Sequence, residues 1–157
     1  MTLVLNDISE LYKTSKGYIN SFKNKKHVDN RGSLSKLFEN NLPFIPNQIL
    51  IQENTSIGIK RGMHFNNNIM YQESKIIYLL DGVIEWLIYD PINFELITIE
   101  LSRNSSIHVP KGLYHGSLSK TSFSSVLILA DLAFNVEYST NVDLTDLKIS
   151  NKFNFIL

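Results

Sequence analysis

Two histidine-bearing segments about fifty residues apart carry most of the chemistry available to this chain. The first is Arg61-Gly62-Met63-His64-Phe65-Asn66, with Glu73 and Gly82 downstream. The second is Pro110-Lys111-Gly112-Leu113-Tyr114-His115-Gly116. Histidine is the side chain best suited to proton transfer near neutral pH. Short apolar segments rich in β-branched residues separate the two. The spacing is read as bringing His64 and His115 from opposite sheets of a small β-barrel into one mouth, and such a mouth is a ready-made ligand site.

The elements that must hold these residues are mostly strands. Ser33 to Phe38 alternates with period two, and Gln48 to Gln52 reads as a buried strand. Ser74 to Leu80 is another, closed by Asp81-Gly82, a dipeptide that between apolar runs predicts a hairpin. Val83 to Tyr89 is the expected return strand, and Asp90-Pro91 ends it. Phe94 to Leu101 alternates, and Ser105 to Val109 leads into the Pro110-Lys111-Gly112 turn. Ser125 to Ala133 is nearly all apolar, so both faces should be buried. Asn6 to Leu11 opens a short helix or belongs to an N-terminal arm. The tail from Asp143, with Leu144, Leu147, Ile149, Phe153 and Phe155, is expected to pack back on the barrel. Many short strands at short spacing read as a jelly roll or barrel.

Bulk properties narrow the function. A chain of 157 residues, 43 % hydrophobic, fits one domain with its own core. Formal net charge is zero and the charges are scattered, which argues against a nucleic-acid-binding surface. The one basic cluster, Lys23-Asn24-Lys25-Lys26-His27, reads as a solvated loop. Without cysteine there are no disulfides and no thiolate chemistry. The start Met1-Thr2-Leu3-Val4-Leu5 lacks the basic flank of a signal peptide. No apolar run approaches the roughly 18 residues that span a bilayer. The expectation is a cytoplasmic protein with no membrane partner.

The two-part pattern resembles the cupin superfamily. Its first motif corresponds to His64, Asn66, Glu73 and Gly82, and its second to Pro110, Gly112 and His115. Many cupins bind a metal, but Asn66 stands where a second histidine would, and amide oxygens are poor transition-metal ligands. No metal and no cofactor are therefore expected, although His64, His115 and Glu73 would be the three candidate ligands.

Over roughly residues 27–138 the chain more specifically resembles the dTDP-4-dehydrorhamnose 3,5-epimerase family. The matching pieces are Asp29-x-Arg31-Gly32, Gln52-x-Asn54-x-Ser56, Arg61-Gly62-Met63-His64, Lys75-Ile76, Gly82, Asp90, and Ile107-x-Val109-Pro110-x-Gly112-x-x-His115-Gly116. The resemblance implies an all-β cupin jelly-roll barrel over 1–157, with 1–25 as an N-terminal arm and 140–157 as a C-terminal tail. It implies a metal-independent isomerase that epimerises a nucleotide-linked 4-keto-6-deoxy sugar, in surface-glycan biosynthesis. His64 would be the base, Lys75 would stabilise the enolate oxygen, and Asp146 (or Asp143) would orient the base. Arg31 and Arg61 would hold the diphosphate, Gln52 and Asn54 the nucleotide, and His115 would line the sugar pocket. A homodimer with strand exchange near the N-terminus is also implied.

The chain departs from the family in one respect that matters. The tyrosine acid expected on the strand after His115-Gly116 falls near Ile128, and a further family tyrosine falls near Phe134. Loss of that acid favours a single epimerisation over a double one. The alternatives are a sugar 3,4-ketoisomerase, which uses the same enediolate chemistry, and a non-catalytic cupin that binds a sugar nucleotide or a partner.

Overall fold

Alternation of apolar and polar residues turns nearly every apolar segment of this chain into a strand. The computed structural model describes residues 8–22, 24–37, 42–143, 146 and 153–156. One six-stranded sheet runs in the order β1 (Ile8–Thr14), β2 (Gly17–Phe22), β10 (Ser106–Val109), β7 (Lys75–Asp81), β12 (Ser124–Ala130), β5 (Gln48–Asn54). The other runs β13 (Ser139–Asn141), β6 (Lys60–Asn66), β11 (Tyr114–Ser119), β8 (Val83–Asp90), β9 (Glu95–Ser102), β14 (Phe153–Ile156). β3 (Lys25–Asp29) and β4 (Gly32–Lys36) pair only with each other, as a separate hairpin. A 3-10 turn, Ile69–Tyr71, lies between β6 and β7. The architecture is the cupin jelly roll.

The inward faces follow from register. On β7 the odd residues Lys75, Ile77 and Leu79 point between the sheets, and Ile77 lies opposite Ile107 and Ile128. On the facing sheet Trp86 lies opposite Ile99, and Ile88 opposite Ile97. Most of these side chains are wholly buried. Each such Ile or Leu contributes roughly 1.5–3 kcal/mol by leaving water. The middle of the barrel is thus an apolar floor, with Lys75 at one end of it and the buried polar trio Asn54, Ser119 and Ser124 at the other.

Four expectations change. Asp81-Gly82 does not close a hairpin: β7 and β8 lie in different sheets, and the turn carries the chain across the sandwich. Gly82 sits at φ +81, and a Cβ there would meet the Phe123 carbonyl at 2.3 Å, so glycine is required by the crossing rather than by a two-residue loop. β5 is not buried. It is an edge strand, and Ile49 and Ile51 are 64 % and 66 % exposed. The N-terminal segment is less an arm than part of the barrel: β1 and β2 extend the first sheet, and Ile19 is fully buried. Finally, His64 and His115 lie on neighbouring strands of one sheet, in direct register, not on opposite sheets. Of the C-terminal tail, β14 pairs in parallel with β9, while Leu144, Leu147 and Ile149 lie outside the described residues.

Candidate active site

A bulge in β6 builds the first half of the site. His64 pairs with His115, but the next pair down is Arg61 with Ser117, so β6 spends three residues where β11 spends two. A regular strand would send residues 61 and 64 to opposite faces. The extra residue, at Gly62-Met63, turns both inward. Met63 goes outward and is buried against Leu87, Tyr89 and Leu96. Gly62 takes φ +84, and a Cβ on it would meet the His115 carbonyl oxygen at 2.6 Å. This explains the glycine between the arginine and the histidine.

Lys75 builds the second half from the opposite sheet. Its Nζ lies 2.5 Å from Glu73 Oε1 and 2.6 Å from His115 Nε2. Lysine and glutamate side chains are only 13 % and 14 % exposed. Burial pulls the Lys75 pKa below its ordinary value of 10.5, and the Glu73 carboxylate pushes back. Burial, then Lys75, then His64 hold His115 well below 6.5, while the Leu113 carbonyl opposes them. A neutral His115 that accepts at Nε2 carries its proton on Nδ1, facing that carbonyl. Trp86 packs parallel to the His115 ring, with centroids 6.3 Å apart.

His64 is half-buried beside this cluster, its ring centroid 5.9 Å from that of His115. Burial first, and then the Lys75 ammonium, lower its pKa below 6.5, against the pull of Glu73 and Asn141. The imidazole is therefore a free base at neutral pH. Its Nδ1 is buried and makes no hydrogen bond among the described residues.

The expected residues sort as follows. His64, Lys75, Gln52, Arg61 and His115 line one cleft of about 160 Å³, together with Glu73, Trp86 and Ile128. Gln52 Nε2 donates to Ser117 Oγ at 3.2 Å. Asn54 does not face the cleft. It is 1 % exposed, accepts from Arg61 Nε at 2.8 Å and donates to Ser124 Oγ at 3.0 Å, so it aims the arginine. The Glu53 carbonyl accepts a second guanidinium bond, from Arg61 Nη2, at 3.0 Å. Arg31 is not brought to the cleft within one chain: its side chain is 85 % exposed and bonds Asp29 at 2.7 Å. Asp146 is not brought to His64 either. It is exposed, its backbone N–H bonds the Asp143 carbonyl, and the residue in register with His64 on β13 is Asn141. Among the described residues no three His, Asp or Glu side chains are grouped to hold a metal ion. The candidate ligands Glu73 and His115 are both spent on Lys75.

Trp86 and Asn141 escape a sequence reading of the site, and Glu73 enters it only as a candidate metal ligand, not as the partner of Lys75. Glu73 had a signal, because residues 73 and 75 of an extended chain project to the same side. Of the adjacent pair Glu85 and Trp86, Trp86 points inward, and Glu85 pairs with Lys120 at 3.1 Å. Ile128, where the family's tyrosine was sought, is an apolar wall of the cleft.

A family model described as dTDP-4-dehydrorhamnose 3,5-epimerase matches residues 16–157. The chain belongs to that family. It is thereby an isomerase of the sugar-nucleotide epimerase class. No curated protein sequence matches it significantly. Among solved structures it is similar to the dTDP-4-dehydrorhamnose 3,5-epimerase of Bacillus anthracis, at 18% identity, TM-score 0.78, and coverage of 96% of this chain and 92% of that one. It is also similar to a 3'-monoepimerase from Streptomyces bikiniensis, at 17% identity, TM-score 0.75, and coverage of 93% and 82%. A 3,4-ketoisomerase from Helicobacter canadensis follows at 22% identity, TM-score 0.66, and coverage of 78% and 89%. At such identities these likenesses speak to the fold.

Proposed function

We propose that this protein epimerises a nucleotide-linked 4-keto-6-deoxy sugar by taking and returning a proton beside the ketone. One observation carries the reading: a neutral imidazole, His64, shares a cleft with a buried ammonium, Lys75, that has one N–H to spare. A C–H next to a carbonyl becomes acidic only if the enolate oxygen is stabilised as charge develops. His64 takes the proton from one face, Lys75 donates to the enolate oxygen, and water returns a proton to the opposite face of the carbon. Arg61, held by Asn54 and the Glu53 carbonyl, keeps guanidinium N–H groups free for diphosphate oxygens. Gln52 and His115 shape the sugar end.

Neighbouring structures support the ligand class: one holds TDP and PPi, another dTDP-quinovose. The apolar Ile128 leaves no tyrosine at that position to protonate the far face, so inversion relies on water there, which supports a single epimerisation over a double one. The same reading takes the protein as a cytoplasmic homodimer. The exposed apolar residues of the β5 edge, with Val28 and Leu34 on the separate hairpin, support the dimer.

Incubation with dTDP-4-keto-6-deoxyglucose in D₂O, read by NMR at C3 and C5, tests the proposal. Deuterium at C3 alone is expected. His64→Ala should slow its incorporation by about 100-fold or more. Full turnover by that variant would overturn the assignment of the base. No exchange by the wild type would point to a different sugar nucleotide or to a binding protein.

A further inference from the structure

Lys75 makes two contacts within the cleft, and only one of them brings charge. His115 accepts from Nζ at 2.6 Å but is held neutral by burial. Glu73 Oε1 lies 2.5 Å from Nζ and is the carboxylate that acts on it among the described residues. The other groups nearby are committed elsewhere. Ala130 and Val109 flank Lys75 on β12 and β10. Asp131 and His108 bond Ser74, which projects to the other side of the strand. His64 on β6 is uncharged at neutral pH, and Arg61 is turned to Asn54.

A buried lysine with no anionic partner sheds its proton. A neutral amine stabilises an enolate far less than an ammonium does. We infer that Glu73 is the positioning residue that keeps Lys75 an ammonium and leaves its third N–H for the substrate oxygen. This rests on the epimerase reading for its purpose but not for its structural content. Glu73 reaches Lys75 from two residues upstream, on the same side of the strand, so the pair is built by local sequence. His115 then fixes the direction of the ammonium, and Trp86 closes the far side of that imidazole.

Two measurements on Glu73→Gln and Glu73→Asp decide it. The first is an NMR titration of the Lys75 side chain in protein with ¹³C-labelled lysine, assigned with Lys75→Arg. Glu73→Gln should lower the Lys75 midpoint by about one pH unit or more, and Glu73→Asp should retain most of the wild-type value. The second is the alkaline limb of the deuterium-exchange profile, which should move down with that midpoint while KM for the sugar nucleotide stays within about twofold. A midpoint unchanged in Glu73→Gln overturns the inference. So does a loss of exchange with no shift of the alkaline limb, which would make Glu73 an acid or base in its own right. If the wild type exchanges no deuterium, the epimerase reading fails, yet the titration still decides the role of Glu73. Retention of the carboxylate in Glu73→Asp guards against misfolding of the amide variant.

Discussion

The base of this site is set by burial and by the neighbours of His64, among which Lys75 outweighs Glu73 and Asn141. His64 Nδ1 has no hydrogen bond among the described residues, and the side chain in register with His64 is the amide Asn141 rather than a carboxylate. A carboxylate there would favour the imidazolium and raise the pKa. Burial and Lys75 instead lower it below 6.5. A lowered value leaves the base free at neutral pH, so exchange should persist at pH 7 and fall only as the pH drops through the His64 value. Asn141→Asp should move that acid limb up by about one pH unit, visible both in the exchange profile and in the His64 ring titration. An unmoved midpoint would mean that residue 141 does not govern the base. These contacts were only partly legible in the sequence. Arg61, His64 and His115 announce themselves by type and spacing. Asn141 acts through a strand pairing dozens of residues away in the chain and leaves no local pattern, while Asn54 was found by its motif but with its role misplaced, since its buried amide aims Arg61 rather than facing the cleft. Asp146 was a reasonable carboxylate by position along the chain, but register decides which residue faces His64.

At the scale of elements, turns and bulges place these side chains. Several strand positions, such as β7 to β9, followed from the apolar pattern, whereas β1, β2 and β6 did not, and pairing did not either, because Asp81-Gly82 serves a crossing between sheets as well as it serves a hairpin. The bulge at Gly62-Met63 was hidden for a similar reason: only the partner strand shows that residues 61 and 64 share a face. Asp90 is the strongest tie between elements. It is fully buried at the end of β8, and its oxygens accept from Ser15 N and Oγ at 2.6 Å and from the backbone of Ile92 and Asn93 at 3.0 and 3.2 Å. It thus pins the β1–β2 turn to the β8–β9 turn. Burial alone would raise its pKa, but the Ser15 bonds and the two backbone N–H groups together take it below 3.8. A carboxyl lowered on folding stabilises the fold above its unfolded value and loses that contribution as the pH falls through the folded one. Asp90→Asn removes one acceptor and strands the Ser15 donors. It should cost about 2 kcal/mol in urea unfolding at pH 7, with less further loss than the wild type on going to acid. An unchanged midpoint in urea would show that the two turns stand without this tie.

For the whole molecule, the position of Arg31 points beyond a single chain. It sits at the tip of the β3–β4 hairpin, outside both sheets, with its guanidinium turned to Asp29 and open to solvent. Within one chain it reaches no cleft residue. The hairpin also presents Val28 and Leu34, each 65 % exposed, close in sequence to the apolar edge strand β5. Apolar groups left on a projecting hairpin and on a sheet edge are what an exchanged dimer would cover. In such a dimer each cleft would combine His64 of one subunit with Arg31 of the other. That geometry makes a prediction no single-chain site can meet. Arg31→Ala and His64→Ala homodimers should both be nearly inactive. A hybrid dimer of the two, co-expressed with different tags and purified through both, has one cleft with neither substitution and should show about half the wild-type exchange rate. If Arg31 instead served its own subunit, every cleft of the hybrid would carry one lesion. The hybrid would then be as inactive as its parents, and the exchanged dimer would have to be abandoned.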